Sequence, residues 1–253
     1  MKYILTNETI KVGVVILHRI ECVEAFADVK VGDKGGWIEN ENNLSQKDDA
    51  WVYGDARVYG HAWVYGNAMV YGNAQVYGDA MVSGNAQVYG DAQVYGNAEV
   101  YGDAEVYGDA LVSGNAQVYG NAQVFDDANV NCHAEVYGDA WVYGIAEVRE
   151  YARIYDNAQV FDDANVNGQA SVSGDAKISK ISDYIVFKNS FSSGRYFTWT
   201  RSNNMWTVGC FHGTSEQLIE KARHDSEEKA KCYALYVKLV EDLQKVNDAN
   251  PSI

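Results

Sequence analysis

Two histidines, His61 and His133, stand in a stretch with few other bases. An imidazole titrates near neutrality and is the commonest general base, so either could serve acid–base catalysis. Cys132 directly precedes His133, and a thiol beside an imidazole suggests an activated nucleophile. Adjacent residues of an extended chain point to opposite sides, however, so neighbours in sequence do not by themselves form that pair. Further along, Arg195 and Arg201 bracket the aromatic run "RYFTWTR". Two guanidinium groups near loop ends are candidates to hold a small anion. No phosphate-cradling glycine loop with a following lysine occurs, and no His/Cys set has metal-ligand spacing. We expect no cofactor and no metal.

The element that must position both histidines is a repeat. Alanine recurs every six residues from Ala50 to Ala176, 22 times without a miss, and Val or Ile follows two residues later each time. The unit is A-x-[VI]-Y-G-[DN]. A period of six suits neither a 3.6-residue helix nor a hairpin array. Side chains alternate along a strand, so Ala and Val share one side, which must be the interior. The x residue and the Tyr point outward, and Gly with Asp or Asn turns the corner. Three sides close a coil of 18 residues. Coils stacked at about 4.8 Å give about seven coils and a rod roughly 35 Å long. His61 and His133 both occupy the corner position, and Cys132 takes the place of a corner glycine.

Sorting residues by 18 separates three outer faces. After Val, the first face reads Tyr53, Tyr71, Tyr89, Tyr107, Phe125, Tyr143, Phe161, an unbroken aromatic column. The second keeps aromatics only in its first half, and the third is interrupted by Ser83 and Ser173. Rings one coil apart stabilise a rod by stacking, and aromatic surface left open is a docking face. The first face also carries Trp51, Met69 and Trp141 and is the one expected to bind a protein partner or a second copy.

Charge is concentrated on the repeats: residues 50–178 hold 17 acids and 4 bases, against 9 and 6 before them and 9 and 10 after. The formal net charge of −15 argues against binding nucleic-acid phosphates. Corner acids such as Asp91, Asp103 and Asp109 read as turn chemistry and solubility; mimicry of a phosphate row is the sharper alternative. Four scattered cysteines fit a reducing compartment, and neither a secretory signal pattern nor a membrane-length apolar run is seen. A cytoplasmic protein is expected.

Residues 1–49 alternate weakly and predict two or three strands that cap the first coil. After Ile178, residues 179–253 predict three strands, with turns at Ser192-Ser193-Gly194 and Ser202-Asn203-Asn204. Two helices follow, the first N-capped by Ser215. Cys232, Leu235, Tyr236, Leu239 and Leu243 are spaced as the buried face of the second.

The repeats resemble the hexapeptide-repeat left-handed β-helix family, although Tyr stands where that family often has Gly. The stretch "GDKGGWIE…NLSQ", leading into the first repeat, is similar to the N-terminal segment of YdcK-like bacterial hexapeptide-repeat proteins. Similar repeats are common among phage and prophage genes. The resemblance implies a left-handed rod with an N-terminal β cap and brings no established activity. Hexapeptide-repeat acyltransferases use a histidine facing a neighbouring subunit, which would be His61 or His133 here. They usually also carry a loop inserted between coils, and the hexad count from Ala50 to Ile178 never breaks.

The expected molecule is mainly β: a left-handed parallel β-helix, a triangular β-solenoid of about seven coils (50–178). It carries an N-terminal β cap (1–49) and a small C-terminal α+β domain (179–253). The expected function is a non-enzymatic scaffold or binding protein of phage or prophage type. One alternative is an acyltransferase-like enzyme. Another is an inhibitor of host defence, acting by acidic mimicry or by sequestering a small nucleotide near Arg195 and Arg201.

Overall fold

The computed structural model describes residues 1–191 and 193–249. Strands β1 (Tyr3–Val12), β2 (Val15–Cys22) and β3 (Lys34–Ile38) come first. Each of the 22 hexads then supplies one two-residue strand, from β4 (Trp51–Val52) to β25 (Lys177–Ile178). Every third strand pairs in parallel and in register, as Gln87 with Glu105 and Val88 with Val106. Three flat sheets result, of eight, ten and seven strands. In the second, β3 pairs in parallel with β5 (Arg57–Val58), and β2 and β1 follow antiparallel.

All repeat Ala and Val/Ile side chains are buried, most of them at 0% exposure. Two small side chains per strand are all a triangle this narrow admits. At the corners Gly adopts positive φ, for example +73° at Gly90. A Cβ there would come within 2.9 Å of the Gly108 backbone in the next coil.

Stacking starts earlier than the hexads do. Ile38 pairs with Val58 and Leu44 bridges Val64, each across 20 residues rather than 18. The two extra residues lie between Leu44 and Val52. This irregular first turn brings the solenoid to about eight turns instead of seven.

The hydrogen bonds give the rod a direction. In each hexad the N–H groups of x, of the residue after Val and of the corner residue donate to the following coil. Gln87 reaches the Ala104 carbonyl at 2.9 Å, Tyr89 that of Val106 at 3.0 Å and Asp91 that of Gly108 at 2.8 Å. The first coil therefore presents unmatched carbonyls and the last presents unmatched N–H groups, and the two caps answer them differently. At the start, Lys2 Nζ donates to the Ala50 carbonyl at 2.7 Å and Asn43 Nδ2 to that of Ala62 at 2.8 Å. Burial pushes the Lys2 ammonium down to about 8, with Asp48 and Asp49 opposing the shift. At the end, hydroxyl and carboxylate oxygens accept: Thr198 Oγ1 from Ser171 N at 2.8 Å, Ser202 Oγ from Lys177 N at 2.6 Å and Asp183 Oδ2 from Ser179 N at 2.8 Å.

Beyond the last coil, an antiparallel meander has four strands, not three: β26 (Tyr184–Lys188), β27 (Tyr196–Thr200), β28 (Met205–Val208) and the short β29 (Phe211–Gly213). Ser192 of the first expected turn lies outside the described residues. Helices α1 (Ser215–Asp225) and α2 (Glu227–Ala249) follow. Thr214 rather than Ser215 caps α1, accepting from Gln217 N in a reciprocal capping box.

Helix α2 departs most from expectation. Ala230, Tyr233, Val237 and Val240 are its buried residues, while Leu235, Leu239 and Leu243 are exposed. The helix carries two apolar stripes. The stripe of Ala230, Tyr233, Val237 and Val240 packs on the sheet, where Tyr233 meets Phe197 edge-on at 4.9 Å. Among the described residues no helix is long and apolar enough to cross a membrane.

Candidate binding surfaces

The aromatic column of the first face is a ring stack from Tyr71 to Phe161. Centroid separations run 4.7, 4.8, 4.9, 5.0 and 5.3 Å, with planes within 9° of parallel. Each ring is half-buried by its neighbours above and below. The hydroxyls reach back into the rod: Tyr71 donates to Gln87 Oε1 at 2.9 Å, Tyr89 to Glu105 Oε2 at 3.0 Å and Tyr107 to Gln123 Oε1 at 3.3 Å. A Tyr and the x residue 16 positions later therefore act together. Burial, with the Glu105 hydrogen bond and charge behind it, pushes the Tyr89 phenol well above its ordinary value.

Tyr53 is not part of this stack. Its ring meets Trp51 edge-on at 6.4 Å and its hydroxyl donates to Asp28 at 3.3 Å. Burial and then the Asp28 charge push its phenol up to about 12. Trp51 is itself buried, edge-on to Phe26 at 5.4 Å and Tyr3 at 6.0 Å. The N-terminal cap thus covers the lower end of the face, which the column of residue types did not reveal.

The upper end is open. Trp141 is 41% exposed and edge-on to Phe125, and Ile145 is 62% exposed at a corner where other coils place Asp or Asn. The octapeptide "VFDDANVN" occurs at 124–131 and again at 160–167, one coil below and one above Ile145. It frames Gly144-Ile145 with Asp126 and Asp127 on one side and Asp162 and Asp163 on the other. Asp126 Oδ2 accepts from Gly144 N at 3.2 Å. Burial, Asp162 and Asp126 together raise the Tyr143 phenol. An apolar patch on coils five and six is thus ringed by carboxylates.

The two histidines share one corner column but stand four coils apart, about 19 Å. His61 Nδ1 lies 3.1 Å from Asp79 Oδ1 with its side chain 89% exposed. His133 stacks on Tyr151 at 4.8 Å, and Asn115 Nδ2 lies 3.3 Å from its Nε2. Cys132 adopts the left-handed corner conformation, φ +62°, that its position demands. Each histidine is held by corner neighbours of its own column.

The arginines also fail to converge. They flank the five residues of β27 and so lie about 20 Å apart. Arg201 is ion-paired with Asp248 of α2 beside a hollow of about 310 Å³ that Trp199 and Leu243 also line. Arg195 borders a separate, much smaller hollow with Lys221, Asp225 and Lys229. Among the described residues no group of three or more His, Cys, Asp or Glu is placed to hold a metal ion.

The corner acids have internal partners. Asn85 donates to Asp103 at 2.8 Å, Asn121 to Asp139 at 2.8 Å and Asn157 to Asp175 at 3.2 Å. In that column Asn and Asp alternate from Asp103 upward, so carboxylates sit two coils apart with an amide between them. The interleaved Asn residues are the donors such a stack requires.

No curated protein matches the chain. The YdcK Beta solenoid repeat family matches residues 50–66, 62–76, 74–90 and 104–120. Those segments lie on the parallel stack described above, and over them the chain is similar to the YdcK β-solenoid repeat family.

Proposed function

We propose that this solenoid is a non-enzymatic binding scaffold that holds a protein partner against the upper half of its first face, as an accessory protein of phage or prophage type. The observation that carries the reading is the exposed pair Trp141 and Ile145. Both are exposed apolar side chains adjoining an otherwise self-satisfied ring stack, and Ile145 lies inside a frame of four aspartates. A scaffold needs only coils, caps and stacked rings, and none of these requires an apolar corner. The complementary partner is a basic segment carrying an apolar side chain. Burying Trp and Ile supplies the attraction, and the carboxylates select Lys or Arg around it.

The test is purification under mild conditions from the native host, followed by native mass spectrometry, with a Trp141→Ala/Ile145→Asn variant alongside. A basic protein that copurifies with the wild type, dissociates at high salt and is lost from the variant is the expected result. A partner retained by the variant, or none at all, would overturn the reading.

A further inference from the structure

The third face begins with a pair of rings that belongs to no column. Trp63 is 42% exposed and, with Trp141, one of two exposed indoles among the described residues. Tyr65 stacks on it at 4.0 Å, with planes 22° apart. Further along the same face tyrosines stack on the ring one coil away, as Tyr101 does on Tyr119. Above Tyr65 the next coil places Ser83, which offers no ring. The phenol lies on Trp63 instead.

The irregular first turn sets a hollow in front of this pair. Between Leu44 and Ala50 the chain leaves the hexad course, and the open space of about 750 Å³ is lined by Glu41, Asn42, Asp48, His61, Trp63 and Tyr65. Its wall is held in place from behind. Ser45 N donates to the Val64 carbonyl at 2.9 Å. Gln46 Oε1 accepts from Lys2 N at 2.8 Å, and its Nε2 donates to the Tyr3 carbonyl at 3.1 Å. Asp48 Oδ2 accepts from Ser45 Oγ at 3.0 Å. Glu41 and Asn42 contribute to this framework through backbone alone: the Glu41 carbonyl accepts from Tyr3 Oη, and Asn42 N donates to Asn40 Oδ1. Their exposed side chains are left to the hollow.

The chemistry of the lining selects the ligand. An indole face attracts a cation through its quadrupole, more strongly than the other aromatic side chains do. Glu41 and Asp48 add carboxylates, Lys47 at the rim opposes them, and His61 is paired with Asp79. The adjoining rod carries 17 acids against 4 bases, so the field favours a cation and argues against nucleotides and other anions. Among cations a guanidinium fits better than an ammonium. It is flat, so it stacks on the indole, and it is weakly hydrated. Its forked N–H groups match acceptors at the edge of the ring, which the Glu41 carboxylate and the Asn42 amide oxygen supply.

We propose that the hollow between the first turn and Trp63 binds a guanidinium group, stacked on the open side of the indole with Glu41 as its carboxylate partner. The site is independent of Trp141 and Ile145, since Trp63 and Trp141 lie on different sheets. A single open indole with one carboxylate supports a dissociation constant on the order of a millimolar.

The experiment is a titration of the full ¹⁵N-labelled chain with ethylguanidinium at low salt, followed at the indole N–H and backbone amide resonances. The Trp63 indole is assigned by its absence from Trp63→Gln. Gln117 stands at the equivalent position three coils above, so this variant should keep the wild-type circular dichroism and melting curve, recorded alongside. Glu41→Gln is the second variant, at an exposed position. The expected outcome is a saturable shift of the Trp63 indole and of the amides of residues 41–48, with Trp141 unmoved. Glu41→Gln should weaken binding about tenfold, and Trp63→Gln should abolish the amide shifts. Tetramethylammonium, a cation without the fork, should bind several-fold more weakly. A capped Gly-Arg-Gly peptide that binds as well as ethylguanidinium would assign the site to an arginine side chain of a protein; ethylguanidinium bound with the peptide excluded would assign it to a free small molecule. No saturable shift at Trp63, amide shifts that survive Trp63→Gln, or affinity indifferent to Glu41→Gln would overturn the proposal. Methyl glucoside moving Trp63 where ethylguanidinium does not would overturn it in favour of a carbohydrate.

Discussion

At the residue scale, the same tyrosine contributes twice, through its ring and through its hydroxyl. Tyr89→Phe keeps both stacking contacts and loses only the bond to Glu105, so chemical denaturation should show a cost of about 1 kcal/mol. Tyr89→Ala removes two stacks, each worth about 0.5–1.5 kcal/mol, and should cost at least twice as much. Glycine corners behave differently. Gly90→Ala forces a Cβ toward the Gly108 backbone at positive φ and should cost of order 1–3 kcal/mol. Asp126 already stands at such a corner, φ +57°, and its carboxylate accepts from Gly144 N. Asp126→Gly trades that bond for relief of the backbone and should change stability by less than about 1 kcal/mol. The hexad reading treats x as free. The tie between Tyr and the Gln or Glu 16 residues later is written in the sequence, but shows only once one coil is laid on the next.

At the element scale, the ring columns hold phenols half-buried between their neighbours. Burial raises the phenols of Tyr71, Tyr77, Tyr101, Tyr107 and Tyr119, and that of Tyr137 to about 12. A phenol whose folded value exceeds its unfolded value of about 10 stabilises the fold fully below that pH. The contribution is lost as pH rises toward 12. Ultraviolet titration should thus show phenolate appearing late and together with loss of β structure. Early, gradual ionisation with the fold intact would contradict the stacked arrangement. The strands were legible because each hexad repeats the same two periodicities, inward Ala and Val against outward x and Tyr. Helix α2 was misjudged because it carries two apolar stripes, and a sequence cannot say which one its own sheet will take. The cap contacts were illegible for another reason: Lys2, Asn43, Thr198 and Ser202 are ordinary polar residues until an orphaned backbone group lies beside them.

At the scale of the whole molecule, repetition makes the architecture readable and hides the site. Every coil looks alike, so a surface is recognised only by what departs from the pattern, and Ile145 departs on one coil alone. The direction of the hydrogen bonding has a further consequence. The starting end offers carbonyls to be donated to, and the finishing end offers N–H groups seeking acceptors. The triangular cross-sections match and the interior layers differ only by Ile in place of Val at Ile154 and Ile178, so the bare bottom of one rod is a template for the bare top of another. Such a head-to-tail contact does not close on itself; it propagates. The donors of the first cap and the acceptors of the second are therefore chain terminators of a polymerisation for which the rod itself is the ready monomer. Removing both residues 1–49 and residues 179–253 should convert the protein into unbranched fibres about one rod wide, visible by electron microscopy and giving a 4.8 Å axial reflection. A rod bare at both ends that stays monomeric would show that the caps are not what holds growth in check.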